Sequence, residues 1–293
     1  MIADIEAAPA LCRLSLATEL RNLRAAAGLT ASEVAKRLVW GASKMNRIET
    51  GENAVVEPAE VIALCELYGA DPETRALLVG YATVTKTKKD WWQASEYRPV
   101  IPPGLKAYLG LEATATNLHT YASEFVPGLL QTESYVRVIH QRALQGLSAE
   151  VVDRLVAVRM TRQEALRRTE NPLRYVAVIN EAVLRRTVGD PAVMRGQLAH
   201  IAEVASSLPN VLVQVVPFRA GTHPGMNGPF VVLQFPERLL IRPIVYLENL
   251  ADAWVIRREN DVAKYEGAFT ELQAVALGPQ ESLSMVKEAI KEF

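Results

Sequence analysis

In the first third of the chain, apolar residues recur at helical spacing and are cut into short runs by capping and turn residues. Leu16, Leu20 and Leu23 fall on one helical face, and Gly28 stands where that helix would close, because glycine takes positive φ cheaply. The next run, TASEVAKRL, opens on Thr30 with Glu33 three positions later, a capping box in which each side chain satisfies a free backbone N–H. Val34 and Leu38 form its apolar stripe, and a turn through Trp40 and Gly41 leads into SKMNRIET. EPAEVIALCELYG and DPETRALLVGYA read as two further helices, the second with Asp71 as N-cap and Pro72 at its first position. Five short helices are therefore expected before the pattern changes.

From Gly104 the pattern becomes mixed. GLKAYLGLEATATNLHTYASE, SYVRVIHQRAL and SAEVVDRLVAVRMTRQEALRRT read as helices, the last with an arginine-rich exposed side. RYVAVI, VLVQVVP, PFVVLQF and PIVYLEN are β-branched runs bounded by turn residues and read as strands. EAVLRRTVGD and PAVMRGQLAHIAEVASS lie between the first two strands as helices, and helices around ENDVAKYEGAFTELQAVAL and ESLSMVKEAIKEF close the chain. The expected fold class is α+β, an N-terminal five-helix bundle followed by a larger domain with a mostly antiparallel sheet packed with helices. The expected boundaries are residues 1–85 for the bundle, 86–103 for a linker and 104–293 for the C-terminal domain. The linker reading rests on the lysines, threonines and prolines of TVTKTKKDWWQASEYRPVIPPG. Trp91 and Trp92 are too apolar for a solvated spacer. They are expected to dock onto one domain rather than to serve as a stacking platform for unpaired bases.

The stretch GASKMNRIETGE carries the clearest chemistry. At about 100° per residue, a helix there puts Ser43, Asn46, Arg47 and Thr50 on one side and Met45, Ile48 and Glu49 on the other. One side is apolar and the other hydrogen-bonding. A short helix of that kind, preceded by another across a tight turn, is the helix-turn-helix arrangement that places a reading helix in the major groove of double-stranded DNA.

LRNLRAAAGLTASEVAKRL followed by SKMNRIETG resembles the helix-turn-helix of phage-repressor-like, xenobiotic-response-element (XRE) family regulators. The resemblance implies that Ser43 and Arg47 read base edges with Lys44 and Asn46 flanking, that Lys36 lies near phosphate, and that amides near Ala31 and Thr50 hold phosphate. It also implies that Arg24 and Glu49 pair beneath the reading helix. Ala31 and Ala42 stand where many relatives have glutamine, and alanine offers only apolar contact, for instance to a thymine methyl. Arg47 is then the expected reader of a guanine.

Charge refines this picture. The chain has a formal net charge of -1, so diffuse electrostatic attraction to nucleic acid is excluded. Between Glu33 and Glu49, however, every charged residue is a cation: Lys36, Arg37, Lys44 and Arg47. So few phosphate contacts imply weak monomeric binding, and a homodimer is expected. A chain of 293 residues suits about two domains. The absence of a basic leader or a long apolar run argues for a cytoplasmic protein without a membrane partner. Cys12 and Cys65 have neither a disulfide framework nor metal-ligand spacing, so no metal or other cofactor is expected.

LEATATNLHTYASEFVPGLLQTESYVR, VRMTRQEALRR, INEAVLRRTVG, QVVPFRAGTHPGMNGPFVVLQF and IVYLEN resemble, in order, blocks of the long C-terminal domain attached to XRE helix-turn-helices in many actinobacterial regulators. The resemblance implies a transcription regulator, antitoxin-like, with a small partner protein encoded by a neighbouring gene. The alternative is a small-molecule sensor with a pocket in the C-terminal domain. Catalysis is not expected: His119, His140, His200 and His223 are dispersed, without a nucleophile elbow, a P-loop or a dinucleotide fingerprint. His223, in the Gly/Pro loop FRAGTHPGMNG, is the leading effector contact, with Glu112 and Glu181 as further candidates. Against these stand ordinary roles, Glu181 favouring a helix dipole and Glu112 supplying charge to an exposed helix face. Leu129 and Leu130 in PGLLQT are either a core corner or an exposed docking point.

Overall fold

The structure, a computed structural model, describes residues 9–50, 55–143, 147–237, 241–249 and 252–293. The first eight residues, on which the absence of a leader was read, and Gly51 of the RIETG motif lie outside the described residues. Side chains of Ala42 and Thr50 do also. The chain divides into two compact units, one holding the N-terminal part through Ala94, the other Ser95–Glu237 and Arg242–Phe293.

The N-terminal unit is the expected run of five helices: α1 (Pro9–Ala26), α2 (Ala31–Arg37), α3 (Ala42–Thr50), α4 (Pro58–Tyr68) and α5 (Pro72–Thr87). Its boundaries follow local chemistry. Gly28 adopts φ 67° just after α1, where a Cβ would be strained. At the start of α2 the Glu33 carboxylate accepts the Thr30 N–H at 2.8 Å, and the Thr30 hydroxyl accepts the Glu33 N–H at 3.3 Å. Asp71 accepts the Thr74 N–H at 2.9 Å, with Pro72 opening α5 as read from the sequence. Leu16, Leu20, Val34, Met45, Ile48, Leu64 and Leu78 are buried together in this small unit. Both cysteines are buried and outside any disulfide, and burial pushes the Cys12 thiol up to about 12 and raises the Cys65 thiol, so neither is a reactive thiolate at neutral pH. Trp92 is buried and meets Trp91 edge to face at 5.6 Å, consistent with a docked segment rather than a solvated spacer.

The C-terminal unit begins with α6 (Pro103–Thr114) and β1 (Asn117–Ala122), then α7 (Glu133–Ala143), α8 (Ala149–Gln163), β2 (Arg174–Asn180) and α9 (Glu181–Arg185). It continues through α10 (Pro191–Ser207), β3 (Val211–Val216), β4 (Phe230–Gln234), β5 (Ile244–Glu248), β6 (Ala253–Ile256), α11 (Glu259–Val275) and α12 (Pro279–Ile290). The strands form one mixed sheet in the order β3-β2-β1-β4-β5-β6. β1, β2 and β3 run parallel, while the β1/β4, β4/β5 and β5/β6 pairings are antiparallel.

Two strands depart from the sequence reading. NLHTYA is the central strand β1 rather than the end of a helix, pairing with β2 from Asn117↔Arg174 to Ala122↔Ile179. AWVI is the edge strand β6. The parallel half of the sheet needs crossovers, supplied by α7 with α8 and by α9 with α10. Tyr121, Val178, Val216, Phe230, Val232 and Val245 pack on one face against Val262, Phe269 and Leu272 of α11. By strand alternation Tyr175, Ala177 and Ile179, also buried, face the other side. Burial on both faces explains the continuous apolar runs of β2 and β3. A fully buried Phe269 contributes about 1.5–3 kcal/mol to this packing. Leu129 and Leu130 are buried, which settles PGLLQT as core.

Candidate nucleic-acid interface

α3 presents two chemically opposite sides. Met45 is 0% exposed, and Ile48 and Glu49 are buried beside it, while Ser43, Asn46 and Arg47 are exposed. The Arg47 Nη1 donates to the Ser43 hydroxyl at 3.3 Å, one turn back along the same face. On α2 Lys36 and Arg37 are exposed, and Ala31 is half-buried at its start. Thr30 takes the Glu33 N–H, so the N–H groups of Ala31 and Ser32 lack intrahelical acceptors.

Beneath α3, Arg24 of α1 holds Glu49 through two hydrogen bonds, Nε to Oε1 at 2.6 Å and Nη2 to Oε2 at 2.8 Å. Its third contact, Nη1 to the Leu29 carbonyl at 2.7 Å, ties in the turn before α2. The hydrogen bond to Glu49 pushes the Arg24 guanidinium above its ordinary value, and the buried Tyr68 hydroxyl beside the pair is raised by burial. One fork of hydrogen bonds thus joins α1, the α1–α2 turn and α3, fixing the angle of α3.

Lys44 departs from a simple DNA-facing role. Its ammonium pairs with Glu60 in the first turn of α4 and stands 4.3 Å above the Trp40 ring. The focused positive charge therefore rests on Lys36, Arg37 and Arg47, with Lys44 partly neutralised. Glu60 and Lys44 are separated by 16 positions, so no local pattern announced their pairing.

The turn between α2 and α3 contains a further feature that sequence periodicity did not flag. Val39 has φ 57° and is 91% exposed. A β-branched residue in the left-handed region is strained by about 1–2 kcal/mol, and here it gains no burial in return. Val39→Gly is expected to stabilise the N-terminal unit by about 1 kcal/mol, because relief of strain outweighs the added freedom of the unfolded chain. Thermal denaturation of the two proteins measures this, and an unchanged or lowered midpoint would show that the turn holds valine without strain.

In the C-terminal unit each of the three effector candidates has partners of its own. Glu112 is 3% exposed and bound bidentately by Arg162, which corrects the reading that it supplies charge to an exposed face. The same pair corrects the arginine-rich exposed side of α8, since Arg162 is buried there. Glu181 does open a helix, α9. Its Oε2 accepts the Phe218 N–H at 2.8 Å and its Oε1 accepts from Arg185, so it clips the start of α9 to the segment leaving β3. His223 lies edge-on to Tyr121 at 5.9 Å, and its Nδ1 is buried without a hydrogen-bond partner among the described residues. The parallel pairing of β1 and β2 sets Glu181 and Tyr121 along the same end of the sheet. Among the described residues, no group of three or more His, Cys, Asp or Glu could hold a metal ion.

A helix-turn-helix with a buried underside and an exposed polar face defines the class, a DNA-binding transcriptional regulator. Residues 15–78 match the family model of a helix-turn-helix domain, and residues 105–288 match that of a domain of unknown function (DUF5753). The second match covers more than half of the chain, and the chain belongs to that family. No curated protein and no solved structure matches it. No helix among the described residues is long and apolar enough to cross a membrane.

Proposed function

We propose that the chain is a sequence-specific, XRE-type regulator that binds double-stranded DNA as a homodimer in the cytoplasm. The observation that carries this reading is the exposure of Ser43, Asn46 and Arg47 directly opposite the buried Met45, Ile48 and Glu49. Arg47 reads a guanine, Asn46 and Ser43 contact neighbouring base edges, and Lys36 neutralises a phosphate. Ala31, Ala42 and Thr50 complete the contacting surface, with Lys44 holding α3 to α4 as well as flanking the duplex. In this reading the C-terminal domain dimerises the chain and receives a small partner protein of the antitoxin-like kind that its actinobacterial resemblance implies. A second reading, a small-molecule sensor, is favoured by the Arg159 guanidinium, which has no ion-pair partner among the described residues.

The N-terminal unit alone is expected to bind its operator at least tenfold more weakly than the whole chain, because this fold reads two half-sites about 34 Å apart through a two-fold dimer. Each phosphate contact adds only about 0.9 to the salt slope, and three exposed cations cannot hold a tight monomeric complex. Fusion of the segment through Ala94 to an unrelated dimeriser should restore most of the affinity. Equal affinity of the lone segment and the whole chain would remove the dimer argument, and native mass spectrometry of the whole chain gives the stoichiometry directly.

A further inference from the structure

Two arginines of α8 meet a single carboxylate. Arg162 is satisfied by Glu112, Nε to Oε1 at 2.7 Å and Nη2 to Oε2 at 2.8 Å. Arg159 lies three residues earlier, on the same side of the helix. Its guanidinium presses against Gly128 so closely that a Cβ there would sit 2.3 Å from Nη1, and the Arg162 Nη1 would be 3.4 Å from the same point. A larger residue at that position would force the Arg159 guanidinium to move. Among the described residues no carboxylate lies within ion-pair distance of Arg159. Glu248, the other acidic group acting on Arg159 from a distance, is exposed at the end of β5.

The aromatic neighbours add a buried donor that is poorly satisfied among the described residues. Tyr108 lies under the Arg162 guanidinium at 5.1 Å and packs against Tyr246 at 4.5 Å between ring centres. Tyr246 is 4% exposed; its hydroxyl makes no hydrogen bond of good geometry among the described residues, and the Glu248 carboxylate acts on it only as a weak acceptor. Burial and the neighbouring Arg162 draw the Arg159 guanidinium down to about 10, still charged at neutral pH. His140, held at about 4 by burial and by Arg159, is neutral and brings no counter-charge. A partly desolvated guanidinium and a poorly satisfied buried hydroxyl each cost stability unless an acceptor reaches them. Arg159 retains part of its surface in solvent, so an acceptor can enter.

We propose that this cradle binds a small organic anion, a molecule carrying one carboxylate or phosphoryl group gripped by Arg159 and completed by the Tyr246 hydroxyl. A singly charged head group fits, because Glu112 already neutralises Arg162. The inference gives the sensor reading a chemical class, and it is tested by binding alone, apart from any DNA contact.

The test is calorimetric titration of the full chain with sodium benzoate and, separately, with phenyl phosphate, in a chloride buffer free of other oxyanions. Saturable binding of one or both is expected; benzoate alone would mark a carboxylate ligand, and phenyl phosphate alone a phosphoryl one. Arg159→Met should weaken binding about tenfold or more and Tyr246→Phe several-fold. The ligand-free Arg159→Met protein should melt no lower than the parent, because a stranded charge has been removed. Absence of binding by both probes, or undiminished binding in Arg159→Met, overturns the proposal. If Arg159→Met does not fold, undiminished binding in Tyr246→Phe overturns it equally.

Discussion

Glu49→Ala is expected to lower the stability of the N-terminal unit by about 3 kcal/mol, at the lower end of the range for breaking a buried ion pair. Glu49 holds Arg24 through both carboxylate oxygens, and only 8% of its side chain and 18% of that of Arg24 are exposed. Removal of the carboxylate strands a guanidinium in a partly dry site, with the Leu29 carbonyl as its remaining partner. Solvent at the Arg24 end is the reason for choosing the lower value. For a unit of this size the loss corresponds to a fall of about 10–20 °C in its melting temperature. Calorimetry of the full chain should show one transition moving and the other staying. The double variant Arg24→Met with Glu49→Leu should recover much of the loss, since no charge is then stranded. An unmoved N-terminal transition in Glu49→Ala would mean that the fork contributes nothing to the fold.

Arg47→Ala should abolish discrimination at one base pair while leaving the N-terminal unit folded. Arg47 is exposed on the face of α3 opposite Met45 and Ile48, so its truncation leaves the buried side of the helix intact. A bidentate contact from arginine to guanine is worth about 1–3 kcal/mol, roughly tenfold to a hundredfold in preference over the wrong base. The operator can be obtained by selecting tight binders from random duplexes with the unaltered chain, and both proteins then compared on it and on a scrambled duplex. Lys36→Ala is the control. Its loss should be nearly equal on both duplexes and should reduce the salt slope by about 0.9. Retention of the full preference by Arg47→Ala would place the reading face elsewhere on the bundle.

The N-terminal unit was legible because its signals are local. Thr30 with Glu33, Asp71 with Pro72, and Gly28 each act within one helical turn, so adjacent residues suffice to place each boundary. The opposition of Arg47 to Met45 likewise follows from helical geometry alone. The Arg24–Glu49 fork spans 25 positions, and it was the family resemblance that implied it.

The C-terminal unit was legible in its strong strands and helices but not in their connection. NLHTYA carries polar residues among its apolar ones and follows an alanine- and leucine-rich helix, so its own sequence does not separate strand from helix. What makes it β1 is pairing with β2 on one side and β4 on the other, with partners as distant as Arg174 and Gln234. β propensity is set largely by such neighbours, which only the assembled sheet supplies. The same holds for charge. Arginines at helical spacing on α8 read as a solvated face, yet tertiary packing buries Arg162 against Glu112 and presses Arg159 onto Gly128. Sequence determined the helix that carries these guanidinium groups, and only the fold decided that one would pair with a carboxylate while the other has no such pair among the described residues, because ion pairing inside a protein depends on elements brought together from distant parts of the chain.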